Sequence, residues 1–327
     1  MKYLFIGGTG IISSAVSRKV LNDGHELYLL NRGNREVPKG AVQLIGDIND
    51  ETSIFELIKD MEFDVVADFI AFRPAQLERD YRLFSGRTKQ FVFISSASVY
   101  QKPLSHYLIT ESTPLANPYW DYSQNKIACE EYLLKMYREN NFPITIVRPS
   151  HTYDERSIPL GVHGANGSWQ VAKRMLDGKP VIIHGDGTST WVMTHNSDFA
   201  KGFCGLLGNI KAIGESFHIT SDEVLTWNQI YSCIANALGV NLKAVHISSE
   251  YLAKQSDENF TGSLIGDKAN SVVFDNSKIK RIVPDFTATK RFDIGIKETI
   301  EHVLANPSLQ ILDPEFDTWC DEIIAKQ

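Results

Sequence analysis

Lys2-Tyr3-Leu4-Phe5-Ile6-Gly7-Gly8-Thr9-Gly10-Ile11-Ile12-Ser13 reads as a short apolar strand, a glycine-rich turn and the opening of a helix. Gly7 and Gly10 let the backbone bend tightly and come close to a pyrophosphate, whose charge would rest on the positive end of the new helix. Thr9, Ile11 and Ile12 complete the candidate cofactor cradle. Ser13 stands where a third glycine is usual, and it is small enough to keep helix and strand close. The helix turns Ala15, Val16, Val20 and Leu21 toward the sheet. A glycine turn alone is weak evidence; one with a strand before it and a helix after it is much stronger.

Outward from this turn, strand and helix keep alternating. Glu26 to Leu30 is a strand, and the residue that reads the adenosine ribose is expected at its end. Asn31, Arg32 and Arg35 stand there, without a carboxylate. Guanidinium groups attract a 2'-phosphate, so the cofactor is expected to be NAD or NADP, with NADP favoured; the alternative is that these arginines are solvated loop charges. Gln43 to Ile48 is a further strand whose Asp47 and Ile48 would flank an adenine, and a helix covers Glu51 to Lys59. Asp64 to Phe69 reads as a fully buried parallel strand. Phe69, Ala71 and Phe72 sit at its C-terminal end, where open parallel sheets bind ligands. A helix from Pro74 to Phe84 and a strand from Gln90 to Ile94 lead to Ser95-Ser96. The expected fold is α/β, a doubly wound parallel sheet with right-handed crossovers.

Tyr122-Ser123-Gln124-Asn125-Lys126 carries the chemistry. Residues four apart share a helix face, so Tyr122 and Lys126 can act on one ligand. A phenol titrates near 10, and a neighbouring ammonium or a cationic nicotinamide ring favours its anion. Ser96, at the end of a buried strand, can hydrogen-bond a substrate oxygen while Tyr122 moves its proton. Such a pair also arises by chance on amphipathic helices, with the Tyr packed and the Lys solvated.

The chain has 327 residues, 43% hydrophobic and 22% charged, enough for a large core and a second lobe. A formal charge of −7 argues against a general nucleic-acid or anionic-membrane surface. No apolar run has membrane-spanning length, and the N-terminus passes into the glycine turn too soon for a secretory signal, so a cytoplasmic location is expected. Cys129, Cys204, Cys233 and Cys320 are far apart and read as free thiols. The nine histidines show no metal-ligand spacing, and no metal is expected.

Residues 101 to 118 form a loop, and the helix from about Pro118 to Asn140 carries the Tyr-Lys pair. The strand Pro143 to Val147 gives onto Arg148, Pro149 as a further cofactor contact, and His151. A glycine-rich loop at 161 to 168 precedes a helix from Trp169 to Asp177. Val181 to His184 and Gly185-Asp186-Gly187 form a strand and turn. Ser197 is the expected N-cap of a helix through Leu207, and Thr226 that of a helix through Leu238. Further helices are expected at 249–254, 276–282, 293–305 and 313–325. The expected division is a dinucleotide-binding domain at 1–155, with 186–212 returning to it, and a smaller mixed α/β substrate lobe from 156–185 and 213–327.

With the glycine turn, Gly46-Asp47, Ser96 in Ser-Ser-Ala-Ser-Val-Tyr and Tyr122-x-x-x-Lys126, the chain resembles an extended short-chain dehydrogenase/reductase of the NAD-dependent epimerase/dehydratase group. The resemblance implies a Rossmann domain, a C-terminal substrate lobe, a small-molecule substrate and a homodimer built on two helices per subunit. It makes Tyr122 the catalytic acid/base, Lys126 the residue that holds the nicotinamide ribose and acidifies the phenol, and Ser96 the positioning hydroxyl. Two departures stand out. Ala97 and Ser98 replace the Asp-Glu pair that performs elimination in 4,6-dehydratases, so dehydration is not expected. Trp191 replaces the arginine that clamps the diphosphate of nucleotide-sugar substrates. Either Lys173, Arg174 or Arg148 takes over, or the substrate is no nucleotide diphosphate sugar; Trp191 itself is a substrate platform or plain packing. Phe72, Ser98 and His151 are further candidate substrate contacts, although His151, His163 and His195 can equally be structural. The expected activity is redox or epimerisation at a carbinol carbon of a sugar-like or other small hydroxylated substrate. A nucleotide-sugar epimerase, or a non-catalytic dinucleotide-sensing or RNA-associated protein on the same scaffold, is the alternative.

Overall fold

The computed structural model describes residues 1–256 and 258–327. The first half runs β1 (Lys2–Ile6), α1 (Ile11–Asn22), β2 (Glu26–Asn31), β3 (Val42–Ile45), α2 (Glu51–Ile58), β4 (Val65–Asp68), α3 (Pro74–Phe84) and β5 (Phe91–Ile94). Then come β6 (Leu108–Ile109), α4 (Asp121–Asn140), β7 (Ile144–Pro149), β8 (His151–Tyr153), α5 (Trp169–Leu176) and β9 (Val181–His184). β10 (Thr190–Trp191), β11 (Met193–His195), α6 (Asn196–Leu206), β12 (Ser216–Ile219), β13 (Leu225–Thr226) and α7 (Trp227–Leu238) follow. β14 (Ala244–Ile247), α8 (Ser249–Lys254), a π-helix (Thr261–Lys268), β15 (Val273–Phe274), α9 (Ser277–Ile282), α10 (Phe292–Ala305) and α11 (Pro314–Ile324) close the chain.

Seven parallel strands form one sheet in the order β12-β7-β5-β4-β1-β2-β3. The chain winds outward through β2 and β3, then returns to the other side of β1 at β4, which opens a crevice beyond the ends of β1 and β4. The central strands are apolar on both faces because helices cover both: α1 and α6 on one, α2, α3 and α4 on the other. A separate apolar core, built on α5, α7, α8, α10 and α11, makes the second lobe.

The boundary expected at 213 is not where the sheet ends. β12 pairs with β7 from Ser216↔Ile146 to Ile219↔Pro149, and α9 packs beside it, so both belong to the dinucleotide domain. The reason is visible in Phe217 and Ile219, whose buried side chains cover the outer edge of the sheet. β8 pairs with β11, and the segment Ala97 to Ile109 contributes to the lobe's core, so the two lobes are interwoven. His195, not Ser197, caps α6: its Nδ1 accepts from the Ser197 backbone at 3.2 Å. Among the described residues no helix is long and apolar enough to cross a membrane.

One buried ion pair fastens the sheet to α4. Arg148 of β7 donates through Nε to Glu130 at 2.9 Å, and Glu130 also accepts from the Ser95 hydroxyl. Glu130→Ala is expected to cost about 3–5 kcal/mol, because it strands a buried guanidinium. Pairing it with Arg148→Met should recover most of that loss, as read by urea unfolding of the two variants.

Candidate active site

A cleft of about 730 Å³ lies over the C-terminal ends of β1, β2 and β4. Gly7, Thr9, Gly10, Ile11 and Ile12 form its floor, Asn31 and Arg32 with Asn34 and Arg35 one end, Asp47 and Ile48 a side, and Phe69 the approach to β5. Gly7 and Gly8 have φ of +104° and +94°, and a Cβ on Gly8 would stand 2.5 Å from Leu29. Only glycine suits this bend. Ser13 does more than spare room: its hydroxyl accepts from the Gly10 N–H at 2.8 Å and thereby closes the turn.

These residues fit a dinucleotide. The open floor at the head of α1 is the place for a pyrophosphate. At the adenosine end, the Asn31 side chain accepts from Gly33 and Gln43, while its buried Nδ2 has no partner among the described residues. Arg32 is exposed and makes no ion pair among the described residues, whereas Arg35 reaches back to the Thr9 carbonyl at 3.3 Å.

A second cleft of about 280 Å³ begins where the first ends, with Ile94 lining one and Ser96 the other. Its wall holds Ser96, Ser98, Tyr122, Pro149, His151 and Trp191, together with Lys102, Trp120, Asp267 and Lys268. Pro149, expected beside the cofactor, therefore lines this smaller cleft: β7 carries it past the sheet's edge toward the lobe. Phe72 is exposed and lines neither cleft, but its ring packs 6.1 Å from that of Tyr122. Ala71 is buried and contributes its carbonyl alone.

Lys126 is buried, with its ammonium 2.7 Å from the carbonyls of both Ala71 and Ile94. Two of its three N–H donors are thus engaged, which leaves one for a ligand. Burial draws it down to about 8. The Tyr122 phenol moves the opposite way from the expectation. Burial raises it, the Ser96 hydroxyl lowers it, and Asp267 raises it again. The Lys126 ammonium lies 5.8 Å from the Tyr122 ring centre and is not among the groups that shift the phenol. Ser96, Ser98 and Ser123 form a hydroxyl chain with steps of 2.9 and 2.8 Å, which orients Ser96 at the edge of the cleft.

Trp191 and His151 form one unit. The indole N–H, a donor only, points at His151 Nδ1 at 3.2 Å, so the imidazole proton sits on Nε2. Burial, aided by Lys268, pulls His151 down to about 3. Trp191 also packs on Trp227 at 5.5 Å, so packing and cleft lining are both true of it. His163 bonds the Gly164 carbonyl, and His195 caps α6. The three basic residues offered in place of a diphosphate arginine are all committed elsewhere. Arg148 is paired with Glu130, Arg174 with Asp317 and Asp321, and Lys173 with Asp177.

Lys102, Asp267 and Lys268 escaped the sequence reading. The last two end the π-helix, for which no element was expected. Its signal was the pair Gly262 and Gly266: a Cβ at the first would stand 2.2 Å from Trp120, and at the second 3.0 Å from Tyr119. These glycines let the helix press on the segment that leads into α4. Asn117 then bridges the two, donating to the carbonyls of Ser98 and Gly266 at 2.8 Å each.

A sequence model of the NAD dependent epimerase/dehydratase family matches residues 3–220. A 2'-dehydrokanamycin reductase of Streptomyces kanamyceticus is 23% identical over 88% of this chain and 80% of its own. The chloroplast stem-loop binding protein of 41 kDa b of Arabidopsis thaliana is 26% identical over 73% of this chain and 63% of its own. Among solved structures, the UDP-glucuronic acid 4-epimerase of Bacillus cereus, in complex with UDP-glucuronic acid and NAD, shares the fold. It superposes with a TM-score of 0.74 at 20% identity, over 93% of this chain and 99% of that one.

His151 gives a testable pH dependence. In the unfolded chain an imidazole takes a proton near 6.5; in the folded protein it resists protonation down to about 3. The unfolded state binds the extra proton between those values, so this contribution is complete above pH 6.5 and is lost as pH falls. His151→Gln is expected to flatten the decline in urea-unfolding stability across that window.

Proposed function

The chain belongs to the NAD-dependent epimerase/dehydratase family, and from that premise we propose that it transfers hydride at a carbinol or carbonyl carbon of a small hydroxylated, sugar-like substrate, with Tyr122 as acid/base. The observation that carries this reading is the end of β5, where Ser96 and Tyr122 line the smaller cleft and the buried Lys126 bonds the carbonyl of Ile94, which lines the larger one. When bound, the dinucleotide supplies or accepts the hydride. Gly7, Thr9, Gly10, Ile11 and Ile12 would hold its phosphates, Asn31 and Arg32 its adenosine ribose, Asp47 and Ile48 its adenine, and Lys126 its nicotinamide ribose.

The residues of the chain manage the proton. Ser96 positions the substrate oxygen, and His151, with its proton on Nε2, is a second candidate donor among the residues that line the smaller cleft. Burial that raises the phenol favours the protonated form of Tyr122, which is the form that reduction of a carbonyl needs, Tyr122 giving its proton to the new alkoxide. In the reverse direction a cationic nicotinamide ring would favour the phenolate. Epimerisation needs the same groups, with the keto form turning over within the cleft. Ala97 and Ser98 provide no acid/base pair for dehydration. With Arg32 and Arg35 at the adenosine end, NADP is the favoured cofactor. The reading includes a cytoplasmic homodimer, checked by sedimentation.

The likeness to a stem-loop binding protein favours a second reading, a non-catalytic RNA-associated protein. A net charge of −7 and the retained Ser96, Tyr122 and Lys126 speak for the enzyme.

Tyr122→Phe is expected to lower kcat roughly 10²–10⁴-fold while leaving dinucleotide affinity unchanged. Nicotinamide absorbance with a panel of sugars, polyols and their oxidised forms checks this; undiminished turnover in the variant sinks the assignment. Arg32→Ala should weaken NADPH binding about tenfold, or ~1.4 kcal/mol, with NADH little affected, as read by nicotinamide fluorescence.

A further inference from the structure

The smaller cleft contains a charge that the protein does not balance. Its charged residues are Lys102, Asp267 and Lys268. Lys268 lies 3.7 Å from the Asp267 carboxylate and also donates to the Ser263 carbonyl. Lys102 is 4% exposed, yet among the described residues its ammonium has neither a hydrogen bond nor a carboxylate within 4 Å. Its backbone is fixed by the Ala116 carbonyl at 2.8 Å, so the side chain starts from a held position. Burial pulls this lysine below its ordinary range, with Asp267 opposing from a distance. His151 on the same wall is neutral. Two ammonium groups thus face one carboxylate, and the unpaired one sits at the cleft.

We propose that the substrate carries a single anionic group, a carboxylate or a phosphate monoester on a monosaccharide-sized skeleton, and that Lys102, assisted by Lys268, recognises it. This rests on the hydride-transfer reading and adds the substrate class to it. Size and charge point the same way. At about 280 Å³ the cleft lies just under the range of roughly 300–1,000 Å³ typical for drug-sized ligands. A nucleoside diphosphate needs more room and a basic clamp, and Arg148, Arg174 and Lys173 are all taken by carboxylates. An ammonium whose only contact is the little water the cleft admits is poorly solvated, and an anion from the substrate would supply the missing partner on binding. Asp267 is left to accept from a substrate hydroxyl.

The test uses the full chain loaded with whichever dinucleotide it binds. Glucuronate, gluconate and glucose 6-phosphate are compared with glucose and with UDP-glucose, by calorimetry and by nicotinamide absorbance. The wild type is expected to bind at least one of the three anionic sugars ten or more times more tightly than glucose. Preference among them tells carboxylate from phosphate. Lys102→Met should abolish that preference, and Lys102→Arg should keep most of it, with dinucleotide affinity unchanged in both. Removing an unpaired buried charge should leave the melting temperature of ligand-free Lys102→Met equal or higher; a clear drop would mark Lys102 as a structural residue and overturn the proposal. Equal binding of glucose and its acids, or tight UDP-glucose binding that survives in Lys102→Met, also overturns it. Turnover of neutral polyols that is lost in Tyr122→Phe but not in Lys102→Met keeps the hydride reading and rejects the anionic substrate. Lys102-dependent binding of a sugar acid with no redox change with either dinucleotide keeps the site and rejects the hydride reading.

Discussion

The Lys126 ammonium, held at 2.7 Å by the carbonyls of Ala71 and Ile94, ties together the three elements on which everything else rests. The carbonyls belong to the loop after β4 and to the end of β5, and the lysine to α4. An ammonium buried among apolar rings is tolerable only when carbonyls replace its water. Satisfying it sets the height of α4 over the sheet, and with it the place of Tyr122 one helical turn away. Aromatic faces complete the cage, with Phe72 and Phe93 centred 4.5 and 4.8 Å from the nitrogen. The cost of moving this one charge keeps two clefts in register.

The same arrangement revises the simple picture of an amine that acidifies its neighbouring phenol. Two of the Lys126 protons go to backbone oxygens, and at Tyr122 burial is the largest influence and raises the phenol. Tyr122 thereby favours the form that can donate a proton. A serine chain from Ser123 through Ser98 to Ser96 and a histidine locked by an indole add oriented donors without adding charge. Preorganised neutral donors of this kind polarise a carbonyl without reorganising during reaction. The charge in the smaller cleft comes instead from Lys102 and from the end of the π-helix, which two glycines allow to lie against the head of α4.

Most of the dinucleotide domain was legible because its signals are local. Apolar runs separated by glycine or capping residues define strands and helices, and a four-residue spacing is enough to place Tyr122 and Lys126 on one face. Less legible were features that depend on what lies across the fold. β12 reads as an ordinary apolar strand, and nothing near it says that it completes the main sheet. His195 reads as either a structural or a cleft residue, and only the tertiary geometry makes it a helix cap. Trp191 offered two readings, and the tertiary contacts supply both at once.

By itself the sequence determined the alternation of strands and helices, the glycine bend that needs positive φ, and the residue types able to move a proton beside a dinucleotide. These follow from bonded geometry and side-chain chemistry within a few residues. Tertiary structure alone decided which charges are spent and which are free. Arg148 and Arg174 are neutralised by carboxylates of other helices, while Lys102 has no partner among the described residues. Pairing and desolvation depend on distances between groups far apart in the chain, and no local pattern encodes them.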